Sequence, residues 1–263
     1  YQDARFMIVG TPSGVTLAPE GGAHQSVGTP LIGMSQDGLA AFEPAFSDEL
    51  AVIMDWSFDY LQRDVQITSD ATGWQREQTG GSVYLRLTTN PLDQPTRTIS
   101  PDLASDIIAG GYWWREPGPN CELIIAYQGV VAEQALAAAG QLAGQFSGQF
   151  SGQSRDIGVL AVTSADRLNA GWTAAQQART DGHKNAASHI EKLLENVPRH
   201  ALMLTVIDGH PATLSWLGGV KGMATISHGV EHFGQTGTIG DLYRHFRLDT
   251  ASLVEAVLNN SAR

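Results

Sequence analysis

A glutamate and a histidine stand four residues apart in the stretch Thr16 to Gln25, which reads T-L-A-P-E-G-G-A-H-Q. The pair Glu20 and His24 suits proton transfer. An imidazole titrates near neutral pH and can hydrogen-bond a substrate oxygen, and a nearby carboxylate orients it or tunes its protonation. Gln25 adds an amide that can contact a substrate. Gly21 and Gly22 read as backbone requirements, for close approach or positive φ. The competing reading is a solvated loop whose glycines only turn the chain.

Two other patterns carry possible chemistry. His228-Gly229-Val230-Glu231-His232 matches the H-x-x-E-H pattern of inverted zinc proteases, in which two histidines one helical turn apart hold the metal and the glutamate activates water. That arrangement needs a continuous helix. Here a strand-like Ala224-Thr225-Ile226 leads in, Gly229 interrupts, and Gly234 and Gly237 follow. A strand-to-helix turn is preferred, with Thr236 or Thr238 capping a helix over Ile239 to Phe246, and no metal is expected. Asp208-Gly209-His210-Pro211 offers an Asp-His pair but reads better as a turn before a capped helix. No nucleophile elbow is visible, and Gly218 to Gly222 lacks the leading spacing of a phosphate loop.

The elements that must position these residues are legible in part. Phe6-Met7-Ile8-Val9 reads as a buried strand, placing Glu20 and His24 beyond a strand's carboxyl end, where open α/β sheets bind ligands. Apolar residues from Phe46 to Leu61 recur at helical spacing, predicting a helix over Ala45 to Gln62 with Pro44 suited to its first turn. Val65 to Gly81 reads as a surface loop before a strand over Val83 to Leu87. Three prolines between Pro91 and Pro101 mark the boundary between a unit over 1–95 and one over 96–263. Beyond it, apolar runs at Leu123 to Ala126, Gly158 to Val162, Leu202 to Ile207 and Met223 to Ile226 alternate with helical patterns. That predicts βαβ units, a mainly parallel sheet and helices on both faces. Tyr112-Trp113-Trp114-Arg115 reads as packing between domains or subunits. Gly140 to Ser154, with its repeated G-Q-F-S, reads as a flexible excursion. Asp249 is expected to cap a last helix over Ala251 to Leu258. The fold class is therefore α/β, as two three-layer α/β/α units.

Composition narrows the function. With 263 residues, 42% of them hydrophobic, the chain has enough apolar surface for a substantial core. A formal net charge of −11 disfavours a nucleic-acid partner, which requires clustered Lys and Arg. The single cysteine, Cys121, allows no internal disulfide and no Cys-x-x-Cys site, which points to a reducing, cytoplasmic compartment. No run approaches the ~20 apolar residues of a membrane span.

The segment Gly14 to Glu49 resembles the pyrimidine domain of thiamine diphosphate enzymes, where transketolases carry a loop ending D-G-x-T-H-Q-P against E-G-G-A-H-Q-S here. Phe42-Glu43-Pro44-Ala45 with Asp48-Glu49-Leu50-Ala51 is similar to the family's P-A-D-x-x-E helix start. Ser82 to Asn90 is similar to that domain's last strand, and His232 to Gly237 to the carboxy-terminal F-G-x-S-G segment. Family transketolases hold a sugar phosphate with an arginine after that strand, where this chain has Leu87-Thr88-Thr89-Asn90. The Thr-Thr pair and the Glu-to-His spacing are closer to the homodimeric pyruvate dehydrogenase first component. The resemblance implies the carboxy-terminal part of an enzyme that uses thiamine diphosphate and Mg²⁺ to decarboxylate a 2-oxo acid, with His24 stabilising the alkoxide, Glu20 supporting it and Gln25 on the substrate. A transketolase acting on sugar phosphates and a non-catalytic dimerisation or assembly module are the alternatives. The activating glutamate and the G-D-G…N motif of the family are not visible, so the chain alone is expected to bind no cofactor and to be inactive. The implied partners are the upstream part of the same enzyme, a second copy in a homodimer and an acyltransferase component.

Overall fold

Short apolar segments at both ends of the first hundred residues pair into one sheet, although the chain travels far between them. The computed structural model describes residues 4–11, 13–36, 38–63, 79–149 and 156–260, the stretch 145–149 as backbone only. In the first sheet β1 (Met7–Gly10), β3 (Ser82–Arg86) and β2 (Leu39–Phe42) lie in that order, all parallel. The second sheet has the order β4-β6-β5-β7-β8, from β4 (Gly111–Arg115), β5 (Leu123–Gln128), β6 (Ile157–Val162), β7 (Leu202–Ile207) and β8 (Thr225–His228). All its pairs are parallel except that of β4 with β6.

Parallel strands need helices on both faces, and the side-chain alternation of β5 shows both covered. Leu123, Ile125 and Tyr127 point into a core shared with α2 (Ser47–Gln62), α4 (Ala132–Gln149) and α8 (Thr250–Asn260). Ile124 and Ala126 point into a second core with α5 (Ala165–Thr180) and α6 (His189–Leu193). Two further helices, α1 (Thr29–Met34) and α3 (Pro101–Ala109), lie against the elements that flank the first sheet. No described helix is long and apolar enough to cross a membrane.

Several sequence expectations are corrected. The run from Phe6 to Val9 is not a buried strand: β1 is an edge strand, and Phe6, Ile8 and Val9 are 49%, 45% and 49% exposed. The long helix begins at Ser47, leaving Pro44 outside it, because the buried Glu49 carboxylate accepts from the Ala45 and Phe46 amides (2.8 and 3.1 Å) and fixes its start there. The expected excursion over Gly140 to Ser154 is helical as far as Gln149, with Leu142 fully buried; its remainder lies outside the described residues. Most of the expected loop over Val65 to Gly81 also lies outside them. The aromatic run Tyr112 to Trp114 forms a strand, which its lack of alternation concealed.

That strand ties the two sheets together. The Tyr112 hydroxyl donates to the Glu49 carboxylate (2.5 Å), and the Trp114 ring lies 5.1 Å from that of Phe46. Arg97, from the extended connector 88–100, forks onto Asp48 at 2.6 and 3.0 Å and lies over the rings of Phe46, Tyr112 and Trp114. Elsewhere β2 has its outer edge closed: the Ala41 amide donates to Asp166, the Ser164 hydroxyl donates to the Ala41 carbonyl, and the Glu43 amide donates to the Thr163 carbonyl (2.9, 2.5 and 2.8 Å).

Candidate active-site loop

The loop that carries Glu20, His24 and Gln25 is closed on itself. The Gly14 amide donates to the Gln25 carbonyl (2.9 Å), and between these residues the chain makes two single 3₁₀ turns, Ala18–Glu20 and Gly22–His24. The turns put Glu20 and His24 on the outside, where both are exposed and neither side chain bonds to another described residue. Gln25 faces inward and is fully buried. Ser26 follows with φ of 44°, a left-handed conformation uncommon outside glycine and often found beside functional sites.

Two anchors hold the loop. The first is Asp208, just past the carboxyl end of β7, whose carboxylate accepts from the Val15 and Thr16 amides at 2.8 and 3.4 Å. Gly14, at φ of 73°, has no room for a side chain there: a Cβ would lie 2.2 Å from the same carboxylate. The second anchor is the segment from His232 to Gly237. The Gln25 Nε2 donates to the Gln235 carbonyl (2.9 Å) and the Gly237 amide to the Ala18 carbonyl (3.2 Å). The approach is close enough that a Cβ on Gly22 would meet the Gly234 carbonyl at 2.1 Å, and one on Gly234 would meet the Gln25 Oε1 at 1.5 Å. Phe233, 71% exposed, borders the same surface. The Thr16 and Thr88 hydroxyls stand 3.3 Å apart, so the Thr-Thr pair also reaches this loop.

Beneath the loop the carboxyl ends of four strands meet in a buried polar cluster that sequence reasoning missed. Arg86, last residue of β3, pairs with Glu43, which follows β2, and donates to the Asp208 carbonyl (2.8 Å) and the Thr29 hydroxyl (3.2 Å). Gln128, last residue of β5, donates to Glu43 (2.9 Å). All four of Arg86, Glu43, Gln128 and Asp208 are at most 5% exposed. Burial opposes the guanidinium charge, but Glu43 and Asp208 beside it hold Arg86 above its ordinary value and therefore charged. Burial pushes the Asp208 carboxyl upward, against the pull of Arg86. The available signal in the sequence was a charged residue at the carboxyl end of three apolar strands, Glu43, Arg86 and Asp208.

The remaining motifs have structural roles. His228 ends β8 and no helix runs through 228–232, leaving Glu231 and His232 exposed on a loop, so the two histidines do not share a helical face as the zinc pattern needs. Among the described residues no three His, Cys, Asp or Glu side chains converge to hold a metal. The buried glutamates are also committed, Glu43 to Arg86 and Gln128, and Glu49 to Tyr112 and two amides. Neither buried glutamate is therefore spare to take a magnesium ion. His210 Nδ1 accepts from the Ala212 amide (3.2 Å), capping the turn Pro211–Thr213, and Thr238 caps α7 (Ile239–His245). Asp249 caps α8 through the Ser252 amide (3.2 Å). A cavity of about 1700 Å³ between α2, α3, α5 and residues 181–189 includes neither Glu20 nor His24 nor Gln25 in its walls. Volume and candidate chemistry thus lie apart, and the loop's charged groups make it the stronger site.

Comparison with solved structures gives the fold its class. The chain has the fold of the carboxy-terminal portion of transketolases. A transketolase from Leishmania mexicana matches with a TM-score of 0.66 at 13% identity, over 97% of this chain and 30% of that one. A transketolase from Pichia stipitis in complex with sedoheptulose-7-phosphate matches at 0.61 and 18%, over 97% of this chain and 29% of that one. A split-gene transketolase described as an inactive β4 tetramer matches at 0.61 and 17%, over 97% and 67%. The chain thus spans about 30% of the length of the undivided transketolases. No protein-family model and no curated protein matches it.

Proposed function

We propose that this chain supplies the carboxy-terminal part of a thiamine diphosphate-dependent enzyme, with residues 1–95 completing a pyrimidine-binding domain and 96–263 forming the carboxy-terminal domain. The observation that carries the reading is the docking of E-G-G-A-H-Q against H-F-G-Q-T-G, two stretches each similar to this one family and bonded across 210 positions. The transketolase fold of nearly the whole chain supports it. In this reading His24 holds or delivers a proton at a substrate oxygen, helped by Glu20. Gln25, being buried, positions the loop. The cofactor and Mg²⁺, held by residues outside this chain, supply the carbanion chemistry when bound. The substrate favoured by Leu87-Thr88-Thr89-Asn90 is a 2-oxo acid, as in pyruvate dehydrogenase. Transfer between sugar phosphates is the second reading, favoured by solved neighbours that are transketolases. The partners are the upstream polypeptide and, in the assembled enzyme, a second copy of each; an acyltransferase component follows only from the 2-oxo acid reading.

Calorimetric titration of thiamine diphosphate with Mg²⁺ into the chain, alone and with the upstream polypeptide added, tests the proposal. Binding only in the mixture is the expected result. Binding in neither, with both polypeptides folded, would overturn it in favour of an assembly module.

A further inference from the structure

The cavity of about 1700 Å³ between α2, α3, α5 and residues 181–189 has no part in the chemistry proposed for the loop. Small-molecule pockets span about 300–1,000 Å³, so a larger occupant is called for. Every wall is a helix face or the coil 181–189, and no strand residue lines it. Helix backbones spend their amides and carbonyls on themselves, so an entering chain finds no ladder to join and must satisfy its own hydrogen bonds. A helix does that. At a diameter of about 10 Å, roughly 20 Å of helix fits, or about three to four turns.

The walls also define the character of that helix. Trp56 and Ile108 are half-buried apolar side chains lining the cavity, and Ala104, Ala174 and Ala178 carry only methyls, which leaves room for larger side chains from outside. On α2, Asp55 and Asp59 stand one turn apart, both exposed and neither bonded to another described residue. No cation shares that wall. Arg167 is buried against the Trp56 ring, 4.6 Å away, and donates to the Ile108 carbonyl, while Lys184 stands on the opposite rim. That rim is held in place: Arg179 donates to the Ala186 carbonyl (2.6 Å) and to Glu191 (2.9 Å), and the Ser188 amide donates to Glu191 (2.8 Å). The cavity is therefore preformed, and little entropy is lost in ordering it on binding.

We propose that this cavity is a docking groove for an amphipathic α-helix of a partner protein, apolar on the face against Trp56 and Ile108 and carrying Lys or Arg along the edge that meets Asp55 and Asp59. The proposal does not rest on the thiamine diphosphate reading and stands or falls apart from it. A second copy of this chain is a poor occupant, because a formal net charge of −11 sets two copies against each other.

Fluorescence anisotropy of labelled synthetic peptides, titrated with the protein, tests this. The probe is a Leu-Lys peptide of about 14 residues with its leucines on one helical face. Its controls are an isomer that alternates Leu and Lys as a strand would, and a version with Glu for Lys. Only the basic helical peptide is expected to bind. Asp55→Asn with Asp59→Asn should weaken it at least ~5-fold, and Ala174→Trp, which fills the cavity without changing charge, at least ~10-fold. Ala104→Trp, on another wall, decides the matter should Ala174→Trp fail to fold. Glu116→Gln with Glu231→Gln removes the same charge from exposed positions outside the cavity and should alter affinity less than ~2-fold. Absence of binding by the helical probe up to ~1 mM, or equal binding of either control peptide, would overturn the proposal. So would equal weakening by the two acid-to-amide pairs, which would mark a general attraction to an acidic surface, or unchanged binding in a folded tryptophan variant.

Discussion

His24 and Gln25 are neighbours in sequence with opposite fates, the imidazole exposed and the amide buried. That division assigns them different tests. In the assembled enzyme His24→Ala should lower turnover at least ~10²-fold with cofactor affinity nearly unchanged, the usual value of one acid-base group. Unaltered turnover would remove His24 from the chemistry. A second residue-scale prediction concerns His228, whose pKa is pushed below its ordinary value of 6.5 by burial and by the Arg247 charge, against a weaker opposing pull from Asp249. The folded state then holds this proton less readily than the unfolded chain. The resulting stability is present above the unfolded pKa and is lost as pH falls through it. Urea titrations at about pH 7.5 and about pH 5.5 should show a smaller acid loss for His228→Gln than for the unmodified chain. An identical loss would mean that the ring is solvated like a free histidine.

Among the elements, those with a regular period or a cap were legible in the sequence: the strands β5, β6 and β7, the helix that ends at Gln62, and the caps at Thr238 and Asp249. Others failed for physical reasons. Composition hid the helix through Gly140 because its glycines and glutamines look like linker, while Ala135, Ala138, Ala139 and Leu142 supply a buried stripe. Leu142→Ala should therefore cost ~2–5 kcal/mol by urea unfolding, whereas a residue in a loose excursion would cost under ~0.5 kcal/mol. For the candidate site, the sequence located Glu20 and His24 but not what holds their loop, since Asp208 and Gly234 lie about two hundred positions away. The docked loops make a prediction of their own. In Gly22→Ala the new methyl meets the Gly234 carbonyl as well as the Phe233 ring, and the backbone contact is the nearer. Amide exchange over 14–25 should rise while circular dichroism of the sheets is retained. Unchanged exchange would show that the two loops do not constrain one another.

For the molecule as a whole, the cluster around Arg86 joins the ends of β2, β3, β5 and β7, and so holds one sheet to the other. Truncation of one partner leaves a buried charge uncompensated. Arg86→Ala should accordingly cost ~3–5 kcal/mol, and Glu43→Leu combined with Arg86→Met should cost less than the single change. A double variant that is worse than the single would mean that Glu43 is held mainly by Gln128.

The anchoring of residues 15 and 16 by Asp208, 193 positions later, also bears on how the chain is made. At about 5–20 residues per second, a ribosome needs roughly 10–40 s after placing Thr16 before Asp208 exists to receive it. Throughout that interval the prospective catalytic loop has no dock. Under the function proposed above, an upstream partner would meet either a nascent chain with an unformed loop or a finished one, and the timing of translation would bear on which.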